Sequence, residues 1–212
     1  MLKKHLILIG IIIALSLLGI ATRYYPGGSQ RDKNSIGYQW TNNYISNLFG
    51  EKAINGEPNG ARPWAAAGML FYSISFALFF VDFSNKIPKK GPAKIVRYCG
   101  ISAMVVTFSA VTPLHDIAII IGSTLALISM FYITVFVFKS RLHFFKVLSV
   151  ICLVAFYCAE YVYGSRNYLE VLPILQKTVL VLTVAWVLCL QYSTTADDFI
   201  VRNNAATKGD VA

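Results

Sequence analysis

The residues able to do chemistry in this chain are few. His115 and Asp116 are adjacent in Thr112-Pro-Leu-His-Asp116. A histidine oriented by a carboxylate can act as a general base or as half of a metal site. The same Asp116 also suits the N-cap of a following helix, where its charge meets the helix dipole, while Pro113 would end the preceding helix. Glu160, in Tyr157-Cys-Ala-Glu-Tyr-Val-Tyr163, and Lys177, beside Gln176 and after Pro173, lie inside apolar stretches. Ionisable groups there are costly, so each is a candidate site. Tyr157, Glu160, Tyr161 and Gly164 share one face at helical spacing. A Glu160–Lys177 pair would neutralise both charges, and Lys177 could also extend its amine to the membrane interface. The functional alternative is a polar pocket whose ligand-binding residues are Glu160, Lys177, Gln176, Tyr157, Tyr161, Arg62 and Trp40.

Several kinds of chemistry are excluded. A catalytic zinc needs three protein ligands. The three histidines are His5, His115 and His143, and His115 falls at the opposite end of the predicted bundle from the other two. No H-E-x-x-H, G-x-S-x-G or glycine-rich phosphate loop is present. No cofactor and no metal is therefore expected. Ser46 and Thr41 are hydroxyls on the same side as His115, but their spacing marks neither as a nucleophile.

These residues are positioned by apolar segments. Of 212 residues, 56% are hydrophobic and 14% charged, with mean hydropathy +0.59. That is too apolar for one soluble core, so lipid is the expected solvent. The net charge of +9 comes from basic residues lying mostly between apolar segments. It is read as membrane topology and attraction to anionic lipid, not as nucleic-acid binding. Cys99, Cys152, Cys158 and Cys189 all fall in apolar segments, which argues against a disulfide framework.

A spanning helix needs about 20 apolar residues. The predicted spans are Leu6–Ala21, Trp64–Phe83, a short Tyr98–Pro113, Ile117–Phe138, Val147–Gly164 and Leu172–Tyr192. The fold expected is all-α, an integral membrane bundle of six transmembrane helices. It forms a single domain over residues 1–192, with a long outer loop at about 22–63 and a polar cytoplasmic tail at 193–212. Lys3 and Lys4 before the first segment, with Gly19-Ile20-Ala21 after it, also fit a signal peptide; an anchor helix is the preferred reading. Lys86, Lys89, Lys90, Lys94 and Arg97 crowd one connection, and Lys139, Arg141 and Lys146 another. Lys and Arg favour cytoplasmic loops, so both termini are expected inside, in the cell membrane. In the long loop, Ile36, Trp40, Tyr44 and Leu48 recur every four residues, predicting a short interfacial helix.

On this topology the polar groups cluster at the outer level, which predicts an outward-facing pocket at headgroup depth, with membrane lipids as partners. Three functions compete. One is binding of a lipid or amphiphile headgroup, with chemistry on that lipid as an extension. Another is a small-solute or ion transporter or channel, for which Thr107, Ser109, Ser123, Thr124 and Ser129 are candidate pathway groups. The third is a structural assembly protein without ligand.

Tyr44-Ile-Ser-Asn-Leu-Phe-Gly50 in the long loop, Asn59-Gly-Ala-Arg-Pro-Trp64 opening the second helix, Thr112-Pro-Leu-His-Asp116, and Gln176-Lys177 with Trp186 occur in that order. The pattern resembles the bacterial and archaeal membrane proteins of domain-of-unknown-function family 998. It is more distantly similar to the DRAM-type (damage-regulated autophagy modulator) six-helix proteins, whose corresponding element reads Ile-Ser-Asp-x-Gly. Here Asn47 replaces the acid and an extra residue precedes Gly50. The resemblance spans about Leu6 to Tyr192. It implies a six-helix membrane fold and no assigned reaction. Some eukaryotic relatives are tied to lipid or lipid-anchor remodelling, so by analogy it implies a lipid headgroup as ligand.

Overall fold

A computed structural model describes residues 2–200; residues 201–212 of the tail lie outside the described residues. The chain forms α1 (Leu2–Arg23), α2 (Arg62–Ser84), α3 (Lys90–Phe108), α4 (His115–Lys139), α5 (His143–Ser165) and α6 (Leu172–Ser193). All six are long and apolar enough to cross a membrane. At about 1.5 Å rise per residue, helices of this length match a hydrocarbon core of roughly 30 Å. No strand occurs among the described residues, only isolated bridges at Gly27–Ile36 and Lys52–Pro58. The protein is an all-helical, polytopic membrane bundle.

Two ends of the bundle can be told apart. At the loop end lie the long 24–61 connection, the α3–α4 link and the α5–α6 link. At the basic end lie the Lys/Arg-rich α2–α3 and α4–α5 connections. The helices extend past their apolar cores mainly at the basic end: α3 begins at Lys90 and α5 at His143, so Lys90, Lys94 and Lys146 sit in helical turns.

The helices pack in chain order, each against the next, with α6 meeting α1 and α2 only lightly. Small residues let backbones approach. Gly10 of α1 faces Ser75 of α2, Gly100 of α3 faces the Phe80 ring, and Gly122 of α4 faces Thr107. Hydroxyls inside the helices bond to carbonyls one turn back, as Ser75 does to Phe71 (2.7 Å) and Thr134 to Met130 (2.8 Å). This leaves no unmet donor at those positions in the apolar interior.

The basic end is tightly closed. Phe79, Phe83, Ile133, Val187 and Leu190 are fully buried there. Trp186 packs on Phe79 at 5.7 Å and donates its indole N–H to Ser149 Oγ (2.8 Å). Gln191 donates to Asp82 (2.7 Å), Lys86 reaches Thr194 Oγ1 (3.3 Å), and Phe199 covers Phe83 at 5.3 Å.

The 24–61 loop departs from expectation. The four-residue stripe does not form a single helix. Only Ile45–Phe49 coils, as one 3-10 turn, with Leu48 buried while Ile36 and Trp40 are 90% and 60% exposed. Side-chain amides take over the backbone's bonding and favour turns over a helix. Asn43 Oδ1 accepts from the Gln39 N–H (2.8 Å), and its Nδ2 donates to the Gly28 carbonyl (2.8 Å). Asn47 Oδ1 accepts from the Tyr44 N–H (2.7 Å). Asn59 Nδ2 donates to the carbonyls of Leu48 and Gly50 and lies within 3.1 Å of that of Asn47. The loop is thus an ordered cap, seated on Ala61, Ala65 and Ala21.

Candidate functional site

Beneath this cap lies a chamber of about 210 Å³. The 3-10 turn supplies its roof through Ile45, Ser46 and Phe49. Met69 and Tyr72 of α2, Thr107 of α3 and His115 of α4 form one wall, and α5 and α6 form the other. A second hollow of about 120 Å³ lies behind the same Tyr72, Thr107, Phe156, Glu160 and Thr183, and runs inward to Phe80, Met130 and Trp186. On the opposite side a vestibule of about 340 Å³ shares Ser46, Phe49, Ala110 and His115 with the chamber. The sequence of spaces therefore runs from a polar mouth to an aromatic floor at Trp186. Below that the packed basic end closes it.

At the mouth, His115 begins α4 and Asp116 follows in its first turn; Leu114, not Asp116, holds the N-cap position, with no side-chain cap. The expected N-cap role is thus corrected, although a carboxylate in the first turn still favours the helix dipole. The Asp116 carboxylate instead gathers three neighbours. His115 Nδ1 lies at 3.0 Å, Tyr163 donates its hydroxyl at 2.5 Å, and Arg166 approaches at 3.9 Å. Arg166 adopts left-handed φ 60° as α5 ends, and its guanidinium lies 4.9 Å from the Tyr163 ring centroid. A carboxylate only accepts, so in the neutral imidazole Nδ1 carries the hydrogen and Nε2 keeps its lone pair. That Nε2 is buried on the chamber wall and has no partner. This geometry can accept a hydrogen bond or a proton from a bound molecule. Ser46 shares both walls with His115 but is not bonded to it.

Deeper in, Glu160 accepts a hydrogen bond from Ser123 Oγ (2.7 Å). The expected Glu160–Lys177 pair does not form. Lys177 turns into the loop, where its ammonium donates to the carbonyls of Asn43 (2.7 Å) and Pro173 (2.9 Å) and sits over the Tyr38 ring at 5.4 Å. Gln176, one residue earlier, both lines the chamber and accepts the Ile45 N–H (3.2 Å). Tyr44 donates to the Leu169 carbonyl at 3.4 Å. Together these bonds fasten the cap to α6. Outside the spans, burial pushes the Tyr38 and Tyr25 hydroxyls above their ordinary range, so both stay protonated.

Of the other residues singled out from the sequence, Arg62 lines the vestibule and pairs with Glu51 at 3.3 Å. Tyr157 and Tyr161 point away from the chamber and are exposed on α5, and Trp40 lies on the outer side of α1 beside Gly19 and Arg23. The inward face of α5 is Phe156, Ala159, Glu160 and Tyr163, one residue out of phase with the expected stripe. Sequence reasoning missed Tyr163 and Tyr72 altogether and named Ser123 and Thr107 only as pathway groups. Among the described residues no group of three or more His, Cys, Asp or Glu gathers as a metal site would require. Comparison with family models, curated proteins and solved structures finds no match for this chain.

Proposed function

We propose that this membrane protein binds an amphiphile, a lipid or lipid-like molecule, in the loop-end chamber. Its polar group would lie at the level of His115, Gln176 and Ser46, and its chain would run toward Trp186. The observation that carries this reading is the chamber itself: polar at the mouth, mainly apolar along its depth apart from Glu160 and a few hydroxyls, and closed at the far end. Such a shape suits a molecule with one wet end and one greasy end. A transporter or channel would need an open polar path or broken helices through both halves, whereas here the basic end is closed by buried Phe79, Phe83, Val187 and Leu190, and its polar groups Ser149 and Gln191 are bonded to Trp186 and Asp82. Lys and Arg crowd the α2–α3 and α4–α5 connections, so we take the loop end to face outward and both termini the cytoplasm. The resemblance to the DRAM-type proteins supports the lipid reading by analogy alone. The unpartnered Nε2 of His115 favours a second reading, chemistry on the bound headgroup.

The test of the site is mass spectrometry of lipids retained after mild purification, for wild type, His115→Ala and Ala159→Trp. Wild type is expected to retain one enriched lipid class. Ala159 is buried on the chamber wall, so the indole of Ala159→Trp should fill the chamber and exclude that lipid. Loss of one hydrogen bond in His115→Ala should weaken retention about tenfold. Bulk membrane composition in a folded wild type overturns the proposal. Retention of a different, unconverted lipid in His115→Ala would support chemistry on the headgroup. Orientation is checked separately: Lys33→Cys, exposed in the loop, should react with a membrane-impermeant thiol reagent in intact cells. Protection until lysis would reverse the topology.

A further inference from the structure

The charges nearest the chamber and its vestibule have charged or carbonyl partners in the structure, apart from Glu160. Arg62 meets Glu51, Arg166 approaches Asp116, and Lys177 is spent on the Asn43 carbonyl of the loop and the Pro173 carbonyl of its own helix. Among the described residues Glu160 has no such cation. Among them it is also the only carboxylate on the walls of the chamber and of the hollow behind it, and none of their Lys or Arg side chains shares those walls. Its Oε2 takes the Ser123 hydroxyl, and its Oε1 takes no hydrogen bond from the described residues. A carboxylate in such surroundings is expensive unless a positive charge reaches it. The rings of Tyr72, Phe156 and Tyr163 stand on the same walls, and aromatic faces attract cations.

We propose that the chamber selects amphiphilic cations, alkylammonium compounds whose charged nitrogen lies against Glu160 among these rings and whose chain fills the hollow toward Trp186. The proposal rests on the amphiphile-binding reading and names its ligand class. A bare metal ion fits the site poorly, because hard cations take six or more oxygens and the walls offer one carboxylate with scattered hydroxyls and an amide. An ammonium group asks for less: one carboxylate, one or two further acceptors and aromatic faces. His115 Nε2, with its free lone pair, is such an acceptor toward the mouth.

The experiment uses the full chain in phosphatidylcholine nanodiscs and follows thermal unfolding with dodecylammonium chloride or dodecanol, which differ in the charged end. A ligand that binds only the folded state raises the unfolding temperature in step with its affinity. In wild type, dodecylammonium should raise it by several degrees more than dodecanol. In Glu160→Gln, which keeps the size and can still accept from Ser123, the two compounds should act alike. An ammonium advantage that persists in Glu160→Gln would show a general surface-charge effect and overturn the proposal. Equal stabilisation by both compounds in wild type would also overturn it, while leaving an amphiphile chamber intact. Stabilisation by neither would remove both readings. Should Glu160→Gln fail to fold, the wild-type comparison is repeated with Ala159→Trp, where blocking the chamber should abolish the ammonium advantage.

Discussion

Gly100→Leu is expected to destabilise the bundle by about 3 kcal/mol or more, the upper range for overpacking a buried contact. A Cβ at this position would meet Phe80 2.2 Å from Cγ and 2.6 Å from Cβ. The near contact is the root of the side chain, not its flexible end, so a rotamer change cannot relieve it. Either α2 and α3 move apart or the Phe80 ring leaves its place against Phe79, 5.5 Å away. Both rings are buried, and tightly packed interiors tolerate little displacement. Thermal unfolding in detergent and size-exclusion profiles read the effect. Gly91→Leu is the control, since a Cβ there meets nothing within 4 Å. Equal behaviour of the two variants would show that the α2–α3 contact is not as close as described.

Lys177→Met is expected to loosen the cap while leaving the six helices in place. The ammonium supports the Asn43 carbonyl and lies over the Tyr38 ring. Methionine keeps the bulk but offers no donor, so the Asn43 carbonyl loses its charge-assisted bond and keeps only the longer one from the Tyr38 hydroxyl (3.3 Å), at a cost of about 1.5–3 kcal/mol. Because the cap is joined to α6 by only a few bonds, the loss should appear as local opening. Amide exchange in residues 38–49 should quicken by about tenfold or more, at roughly 1.4 kcal/mol per tenfold, with exchange in α2–α5 unchanged. Exchange rising equally across all helices would mean that Lys177 supports the whole bundle. No change anywhere would mean that the latch is not Lys177.

Both predictions concern contacts that the sequence could suggest but not locate. A glycine such as Gly100 within an apolar span is a plausible packing position, yet nothing in the sequence pairs it with Phe80. Lys177 was legible as a costly charge inside an apolar helix, and Glu160 was its natural partner by depth. The structure gives Lys177 a backbone partner instead, because the ordered loop brings the Asn43 carbonyl within 2.7 Å. The four-residue stripe of the loop is also a true sequence pattern. It failed as a helix because Asn43, Asn47 and Asn59 bond to the backbone themselves. A periodicity count does not register such side-chain competition.

What the sequence determined by itself is the number of membrane helices and their approximate limits, along with the grouping of polar candidates toward one end. The physical reason is lipid: a fixed hydrocarbon thickness demands about 20 apolar residues per crossing and makes every charge within them conspicuous. What only the tertiary structure decided is which way each helix faces. Lipid tails are as apolar as a protein interior, so a spanning helix lacks the two-sided pattern that orients a helix in water. For that reason Tyr157 and Tyr161 read as pocket residues when Phe156 and Tyr163 occupy the wall. The rotation of α5 in the bundle turns Glu160 into the chamber, where no Lys or Arg of the described residues pairs with it.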